Sequence, residues 1–391
     1  MIPEPPQQVA IIVDDEQLAA FVERMCAAPW ITVDTEFQRE RTYYPQLSLL
    51  QIADAHEIGL IDMLAIDDTT PLKMLVSDSG PLKVFHAADQ DIEVLYQTLA
   101  VMPAPLFDTQ IAAALSGLGD QIGYAGLVQE LTGVKLAKAH TRTNWLRRPL
   151  PAQVLTYAAD DVRWLAVCYP LLQQQLHARG RLAWVQADSQ TLTAAQQQHS
   201  APANAWQRVR AWHHLEPRAQ QVLAELADWR ERTAMQADRP RKWILPDDAL
   251  LEIARTQPQS QQQLEAIRAL APKTARRHGA ALLDCVVRGG QRPAQPLAPD
   301  YQPLDDAQKR LCKQARRALA ICAEHSGIPA PTLARRKELE QMVTGARDLR
   351  VLHGWRADAA GCAILDVVEG RQQVIGKGAQ ARLASVASHD A

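Results

Sequence analysis

The sequence predicts an α/β domain with a mixed sheet, followed by two small all-α domains. Short β-branched strands come first as a meander and then alternate with helices. Beyond residue 208 the apolar periodicity is helical throughout. Segments rich in Gln and Ala, or in Gly and Pro, separate these parts. The predicted boundaries are 1–190 for the α/β domain, 191–208 for a linker, 209–289 for the first helical domain, 290–304 for a second linker, 305–372 for the second helical domain and 373–391 for a tail.

The elements of the α/β domain follow from local pattern. An amphipathic helix is predicted over 14–28, because its apolar residues recur at helical spacing. Alternating or β-branched runs predict strands over 31–37, 47–53, 57–61, 82–86 and 106–108. The turns among the first three are short enough for hairpins. Helices are predicted to begin at Asp89 and Thr109 and to cover 152–172.

The helical part divides into two blocks of similar length. Helices are predicted over 215–235, 249–254 and 273–287, with one more after the capping residue Ser260. Residues 305–370 are helical again, with a turn at 354–356 before the last helix. The shared order of helices suggests a diverged tandem repeat. The tail beyond Gly370 is predicted to be poorly ordered.

Composition excludes several classes of protein. The 391 residues are 47% hydrophobic and 22% charged, which is ordinary for a globular protein. No apolar run approaches the roughly 20 residues of a membrane span, and the N-terminus lacks the pattern of a secretory signal. Six scattered cysteines without a Cys-x-x-Cys pair argue against disulfides and structural zinc. These features predict a protein of the reducing cytoplasm, with no membrane partner.

Charge is distributed unevenly along the chain. Residues 1–200 carry 13 Lys and Arg against 23 Asp and Glu, a net −10, whereas residues 201–391 carry 29 against 21, a net +8. The alternative is chance variation in surface composition. A basic C-terminal part nonetheless predicts a polyanionic partner, and its two helical blocks would then contact phosphates without reading sequence.

Asp34 and Glu36 form an acidic pair on the first predicted strand. Residues two apart in a strand point to the same face, so the two carboxylates project together. Their repulsion raises a pKa unless a cation lies between them. The pair is therefore either a solvent-facing feature of an edge strand or one half of a site for a hard metal ion.

Three further residues complete a candidate metal site. Asp91 lies in the first turn of a predicted helix, and Tyr157 and Asp161 lie four apart on one face of another. A Tyr-x-x-x-Asp pair alone is usually surface decoration. Together with Asp34 and Glu36, however, it supplies only oxygen ligands, which favour Mg²⁺ or Mn²⁺. Two such ions about 4 Å apart are the usual arrangement for phosphodiester hydrolysis.

The order of these motifs resembles a known family. Val33–Phe37, His86–Leu95 and Tyr157–Asp161 resemble the three exonuclease motifs of the DEDD superfamily, tyrosine subtype. Arg41–Leu47, Phe107–Gln110 and Trp145–Leu150 resemble the connecting segments of the ribonuclease D family. Residues 216–288 resemble a helicase-and-RNase-D C-terminal (HRDC) domain, and residues 305–370 a weaker second copy. The resemblance implies a ribonuclease H-like exonuclease domain.

The resemblance also implies roles for the motif residues. Asp34, Glu36 and Asp161 would ligate the ion that activates water, and Asp34 would bridge to a second ion. Asp91 would hold that second ion directly or through water, and Tyr157 would position the attacking water. The Asp89 and Asp160 neighbours are assigned no ligand role, and Asp108 is expected to be structural.

The function implied is that of a metal-dependent 3′→5′ exoribonuclease. It would release 5′-mononucleotides and trim tRNA precursors and other small stable RNAs, as a monomer. One alternative is an exonuclease acting mainly on DNA, because the motifs bind phosphate and metal and do not contact the 2′-hydroxyl. Another is a non-catalytic RNA-binding scaffold, although such a scaffold should have lost a carboxylate.

Six residues are predicted to contact the substrate. Arg41, Tyr43 and Tyr44 closely follow the metal strand, where they could hold or stack on the 3′ nucleotide. His86 ends a strand and could approach the substrate, or it could be a hydrogen-bonded core histidine. Lys242 and Trp243 belong to a basic and aromatic segment of the kind that contacts RNA, or to a plain solvated loop.

Overall fold

A six-stranded mixed sheet forms the centre of the N-terminal domain. In this computed structural model, which describes residues 2–136, 143–297, 303–376 and 378–386, the strands lie in the order β1-β4-β3-β2-β5-β6. Their bounds are β1 Gln8–Ile12, β2 Trp30–Gln38, β3 Gln46–Ala53, β4 Glu57–Asp62, β5 Leu82–Phe85 and β6 Leu106–Asp108. β3 pairs antiparallel with both β2 and β4, whereas β1 pairs with β4, β5 with β2 and β6 with β5 in parallel. The predicted mixed sheet is confirmed.

Seven helices accompany this sheet in the described residues. They are α1 Asp15–Cys26, α2 Thr70–Val76, α3 Asp89–Leu99, α4 Thr109–Leu115, α5 Tyr124–Thr132, α6 Ala152–Ala178 and α7 Leu182–Ser200. Asp108 ends β6 and caps α4, since its Oδ1 accepts from the backbone N–H of Gln110 at 2.7 Å. Its other oxygen accepts from Ala88 N at 2.9 Å, so this carboxylate fixes the turn that leads into α3. The structural role expected for Asp108 is confirmed.

The C-terminal half is mostly helical and forms two blocks. The first contains α8 Pro217–Ala237, α9 Arg241–Ile244, α10 Asp247–Thr256, α11 Gln261–Glu265 and α12 Pro272–Gln291. The second contains α13 Asp306–Ser326, α14 Ala330–Leu333, α15 Arg336–Val343, α16 Gly354–Arg356, a π-helical turn at Ala357–Gly361 and α17 Cys362–Val368. As expected, Ser260 caps α11 through its hydroxyl. No described helix is long and apolar enough to cross a bilayer.

The second helical block packs against the exonuclease-like domain. One apolar core contains Tyr169 and Leu172 of α6 together with Leu319 of α13 and Ile364 of α17. Between α7 and the second block, the Trp184 and Trp355 rings stack in parallel with centroids 4.9 Å apart. Asp188, also on α7, accepts two hydrogen bonds from the Arg356 guanidinium at 2.7 and 2.5 Å. The first helical block has its own core, centred on Leu223 and Leu250.

Several local predictions are wrong. The Gln- and Ala-rich segment expected as a linker over 191–208 is helical, because α7 runs to Ser200 and a 3₁₀ helix covers Pro202–Arg208. The tail expected to be poorly ordered forms a hairpin of Gln372–Ile375 and Arg382–Ser385; residues 387–391 lie outside the described part. Strand β1 and helices α2 and α5 were not predicted at all.

Candidate active site

Strand β2 carries the acidic pair to the centre of the sheet. Thr32, Asp34 and Glu36 share one face of this strand because they are two residues apart. The Thr32 hydroxyl donates to the carbonyl of Val162 at 3.1 Å, which fixes helix α6 over that face. Strand β5 pairs with β2 only from Trp30 to Thr32, so β2 extends beyond its parallel neighbour and Asp34 and Glu36 lie past that ladder.

Helix α6 brings a third carboxylate to the pair. Asp161 directly precedes Val162, the residue that Thr32 of β2 contacts, and Asp34, Glu36 and Asp161 each offer an oxygen within 4.8 Å of the others. The two motifs are 125 or more residues apart in sequence, yet the fold brings them together. This is the only such cluster of three or more potential ligands among the residues that the structure describes.

Asp91 lies beside this cluster without belonging to it. It is in the first turn of α3, is 8% exposed, and accepts a hydrogen bond from the Thr35 hydroxyl at 2.5 Å. Thr35 lies between Asp34 and Glu36 on β2, so this hydrogen bond ties the beginning of α3 to the strand that carries the acidic pair. The sequence gives no signal for this role of Thr35, because a threonine inside a strand is common.

Tyr157 lies one helical turn before Asp161 on α6, as predicted. Its hydroxyl forms a side-chain hydrogen bond with the Asp161 carboxylate, which favours the ionised form of that carboxylate. Burial and then the charges of Asp161, Glu36 and Asp34 raise the pKa of the Tyr157 phenol above its usual range. The phenol is therefore a neutral donor beside the acidic cluster.

The carboxylates oppose one another electrostatically. Burial raises the pKa of Asp34 to about 6. Burial, followed by the negative charge of Asp34, raises the pKa of Asp161 to about 8. Burial, followed by the charges of Asp34, Asp161 and Asp91, raises the pKa of Glu36 to about 9. Asp91 also has a pKa well above its usual range, because of burial and then Asp34.

The donor set fits divalent cations. Every ligand atom is a carboxylate oxygen, the type that Mg²⁺ and Mn²⁺ prefer. Asp161 Oδ2 is buried and has no hydrogen-bond partner in the described structure. A buried oxygen without a donor costs about 1–3 kcal/mol, and a cation would satisfy it. The chain therefore presents an acidic site suited to divalent metal.

A cavity of about 550 Å³ opens beside the carboxylates. Its lining includes Asp34, His86, Tyr124, Tyr157, Asp160 and Asp161. His86 contributes a fixed ring, since its two nitrogens lie 3.0 Å from the Thr109 hydroxyl and 3.1 Å from the Ile122 carbonyl. His86 is therefore hydrogen-bonded within the fold, as a core histidine would be, and it also lines the cavity, where a substrate contact was predicted.

Tyr124 is a cavity residue that the sequence did not indicate. Its hydroxyl donates to the Asp160 carbonyl at 2.7 Å, which ties helix α5 to α6 directly beside Asp161. Its ring lies 5.7 Å from that of His86. Nothing in the spacing around Gly123 distinguishes this tyrosine from an ordinary surface residue, so only the tertiary structure reveals it.

The loop after β2 places its predicted substrate residues differently. Arg41 and Tyr44 are exposed, whereas Tyr43 is 7% exposed and faces the first helical domain. The Tyr43 hydroxyl donates to Glu231 at 2.5 Å, and the Arg241 guanidinium lies 4.8 Å from the centre of its ring. The Tyr43 ring is therefore engaged between domains and is not free to stack on a nucleotide.

Lys242 and Trp243 lie in the first helical domain, apart from the carboxylates. Both are exposed, and Trp243 is 55% exposed. They follow Arg241 on α9, the short helix that reaches Tyr43.

Comparison with known proteins agrees with this geometry. The family model described as 3'-5' exonuclease matches residues 9–177, and the HRDC domain model matches residues 219–286. Ribonuclease D of Gluconacetobacter diazotrophicus is 37% identical, with 92% of this chain and 93% of that protein covered. Ribonuclease D of Sphingobium indicum is 36% identical, with coverage of 92% and 95%. The chain belongs to the ribonuclease D family.

Structural similarity extends over the same range. The crystal structure of Escherichia coli RNase D matches with a TM-score of 0.81 and 32% identity, covering 93% of this chain and 99% of that one. The catalytic core of RRP6 from Trypanosoma brucei matches with a TM-score of 0.51 at 24% identity and shares the fold. As a ribonuclease D, the chain is a 3′→5′ exoribonuclease, and its exonuclease domain implies the use of divalent metal. The predicted family, fold class and enzyme class are confirmed.

Proposed function

We propose that this exoribonuclease removes 5′-mononucleotides from RNA 3′ ends with two divalent cations, Mg²⁺ or Mn²⁺, held by Asp34, Glu36, Asp91 and Asp161. The observation that supports this most directly is the convergence of Asp34, Glu36 and Asp161 within 4.8 Å. When bound, the two cations would supply activation of water and neutralisation of charge at the scissile phosphate.

The side chains have distinct parts in this proposal. Asp34 is close to each of the other three carboxylates, because its charge raises the pKa of Glu36, Asp161 and Asp91. It is the residue best placed to contact both cations. Asp91 is oriented by Thr35, so that its second oxygen remains available as a ligand.

Tyr157 orients the attacking water in this proposal. Its phenol is neutral at physiological pH and donates its proton to Asp161, so its oxygen can accept a hydrogen bond from the water. The attack breaks the bond from phosphorus to the 3′ oxygen of the preceding nucleotide, and the released mononucleotide keeps its 5′ phosphate. The 550 Å³ cavity beside these groups is of a size to hold a terminal nucleotide.

Precursor tRNAs and other structured small RNAs are the substrates we infer. The Escherichia coli relative is described as an exoribonuclease involved in structured RNA processing. The +8 charge of residues 201–391 supports capture of such RNAs away from the catalytic cluster. We further infer a monomer that acts in the cytoplasm, where its six free cysteines stay reduced.

The test is digestion of a 3′-extended tRNA with Mg²⁺, with Mn²⁺ and with EDTA, with products resolved by length. We expect stepwise shortening with either ion, mononucleotide products, and no reaction in EDTA. Cleavage in EDTA would contradict the metal assignment. Faster cleavage of a DNA oligomer than of the matched RNA would contradict the RNA substrate.

A further inference from the structure

A second cavity, of about 430 Å³, lies in the first helical domain. It is bounded by the end of α8, by α9 and by the beginning of α12. Its lining includes Thr233, Arg239, Trp243, Lys273, Arg277 and His278, and no acidic residue is among the residues that line it. The cavity is therefore a positively charged recess within a domain that has its own apolar core.

The cations of this recess have no acidic partners. In the described residues, Arg239, Lys273 and Arg277 take part in no side-chain hydrogen bond or ion pair, whereas Arg230 and Arg241 of the same domain pair with Asp247 and Glu231. Lys273 and Arg277 also lie in the first two turns of α12, where the helix dipole disfavours positive charge. These cations repel one another, and an anionic ligand bound in the recess would relieve that repulsion.

Trp243 adds a flat aromatic surface to the same recess. Its indole is 55% exposed and lies beside cations that have no acidic partner. Aromatic rings next to cationic side chains bind single-stranded nucleic acid, since bases stack on the ring while phosphates contact the charges. An acidic peptide would use the cations but would gain little from the ring.

Helix α9 couples the recess to the catalytic domain. Arg241 begins this helix and pairs with the fully buried Glu231 at 2.7 Å, while Glu231 also accepts from Tyr43. Tyr43 follows β2, the strand of Asp34 and Glu36, by only five residues. Asp238 strengthens the contact by accepting from the backbone N–H groups of Tyr43 and Tyr44 at 2.9 and 3.0 Å. The recess is thus held in a fixed relation to the active site.

We propose that this recess binds the single-stranded RNA that lies upstream of the nucleotide being removed. One base stacks on Trp243, and the adjacent phosphates contact Arg239, Lys273 and Arg277. This site rests on the proposed exoribonuclease function and adds to it a binding position outside the catalytic domain. A strand held there remains attached between successive cleavages, because its upstream part is bound while its 3′ end is shortened.

Steady-state kinetics on two RNA lengths test the proposal. Trp243→Ala and the double variant Lys273→Ala/Arg277→Ala are compared with the full-length wild type on an unstructured 20-nucleotide RNA and on a dinucleotide. Arg268→Ala is the matched control, because Arg268 is an exposed cation of the same domain outside the lining. The dinucleotide has no upstream segment, so it reports the catalytic site alone.

We expect Trp243→Ala to raise KM for the long RNA about 10-fold, the scale of one lost stacking contact, with kcat unchanged. The double variant should also flatten the salt dependence of long-RNA binding, by about 1.4 in the log–log slope for two phosphates. Dinucleotide kinetics and the Arg268→Ala control should match the wild type.

Unchanged KM for the long RNA in both variants would overturn the proposal and leave the recess to another ligand, such as an acidic peptide. Equal losses on both RNA lengths would also overturn it, because the effect would then act on the catalytic site. Wild-type hydrolysis of the dinucleotide tests the proposed exonuclease function separately. Failure of the proposed exonuclease function would therefore be distinguished from failure of the proposal that the recess binds RNA.

Discussion

Replacing Asp34 by Asn should stabilise the metal-free protein while abolishing its activity. The ligand oxygens of Asp34, Glu36 and Asp161 lie within 4.8 Å of one another. At an effective dielectric constant of about 20, two unit charges at that separation repel by roughly 3.5 kcal/mol. Asparagine has nearly the same size as aspartate and carries no charge, so it removes this repulsion and also removes a cation ligand.

Burial adds a separate penalty on the ionised form of Asp34. It raises the pKa of this carboxylate from 3.8 to about 6, which corresponds to about 3 kcal/mol. Because the folded-state pKa is raised, the folded protein binds more protons than the unfolded chain between these two values. Stability is therefore lost as pH rises from about 4 through 6, and the full penalty applies above that range.

Thermal unfolding in EDTA at pH 5 and pH 8 measures the effect. We expect Asp34→Asn to melt above the wild type at pH 8, with a smaller difference at pH 5, where Asp34 is largely protonated. Mg²⁺ should raise the melting temperature of the wild type and should have much less effect on the variant. Glu130→Gln is the control, because Glu130 is an exposed carboxylate on α5 and should show none of these changes.

A variant that melts below the wild type in EDTA at pH 8 would refute the reasoning. The hydrogen bond that Asp34 accepts from the Thr35 backbone would then outweigh the repulsion. Near-normal RNA hydrolysis by the folded variant would refute the metal-ligand role independently.

Three further changes test other parts of the molecule. Tyr157→Phe should lower kcat about 10²-fold with metal binding retained, as measured by single-turnover hydrolysis at saturating Mg²⁺. Glu231→Gln should remove the counter-charge of Arg208 and Arg241, two partly exposed and therefore screened cations, and should destabilise the contact between the domains by roughly 2–3 kcal/mol. Faster proteolysis between the domains would report this loss. Asp188→Ala should leave the 8%-exposed Arg356 unpaired and cost about 3–5 kcal/mol, measured by chemical unfolding.

Each of these has a contrary outcome. Loss of metal affinity with an unchanged rate would make Tyr157 a structural support. Wild-type protease resistance in Glu231→Gln would show that the Asp238 contacts alone hold the interface. For Asp188→Ala, Asp120→Ala is the comparison, since the exposed Asp120 accepts only one hydrogen bond from the second helical block in the described structure, from the Thr332 hydroxyl. Equal destabilisation by the two would contradict the importance of burial.

The catalytic motifs were predictable because their chemistry is local in sequence. The two-residue spacing of Asp34 and Glu36 and the four-residue spacing of Tyr157 and Asp161 each place both groups on one face of an element. Resemblance to a family then indicated which of the separate elements meet. The spacing did not reveal that Thr35 would hold Asp91, because this contact joins elements 56 residues apart.

Some elements could not be predicted because their local pattern was misleading. Strand β1 exposes its apolar side chains, with Val9 41% and Ile11 51% exposed, so its alternation does not mark a buried face. Helix α7 has a Gln- and Ala-rich C-terminal half that suggested a linker, and its packing depends on Trp355 far along the chain. Tyr43 suggested a nucleotide contact because it follows the metal strand closely. Its actual partner, Glu231, is 188 residues away, and nothing near Tyr43 in the sequence indicates that contact.

The contact between α7 and the second helical block has a consequence for synthesis. Asp188 and Arg356 are 168 residues apart, and a ribosome adds about 5–20 residues per second. Asp161, the last of the proposed metal ligands, precedes Trp355 by 194 residues, so the complete set of these carboxylates emerges roughly 10–39 s before the segment that covers Trp184. During that interval the nascent chain presents an apolar helix face to chaperones and proteases. A chain that terminates early keeps this face uncovered, which marks the product as unfinished although its nuclease motifs are already present.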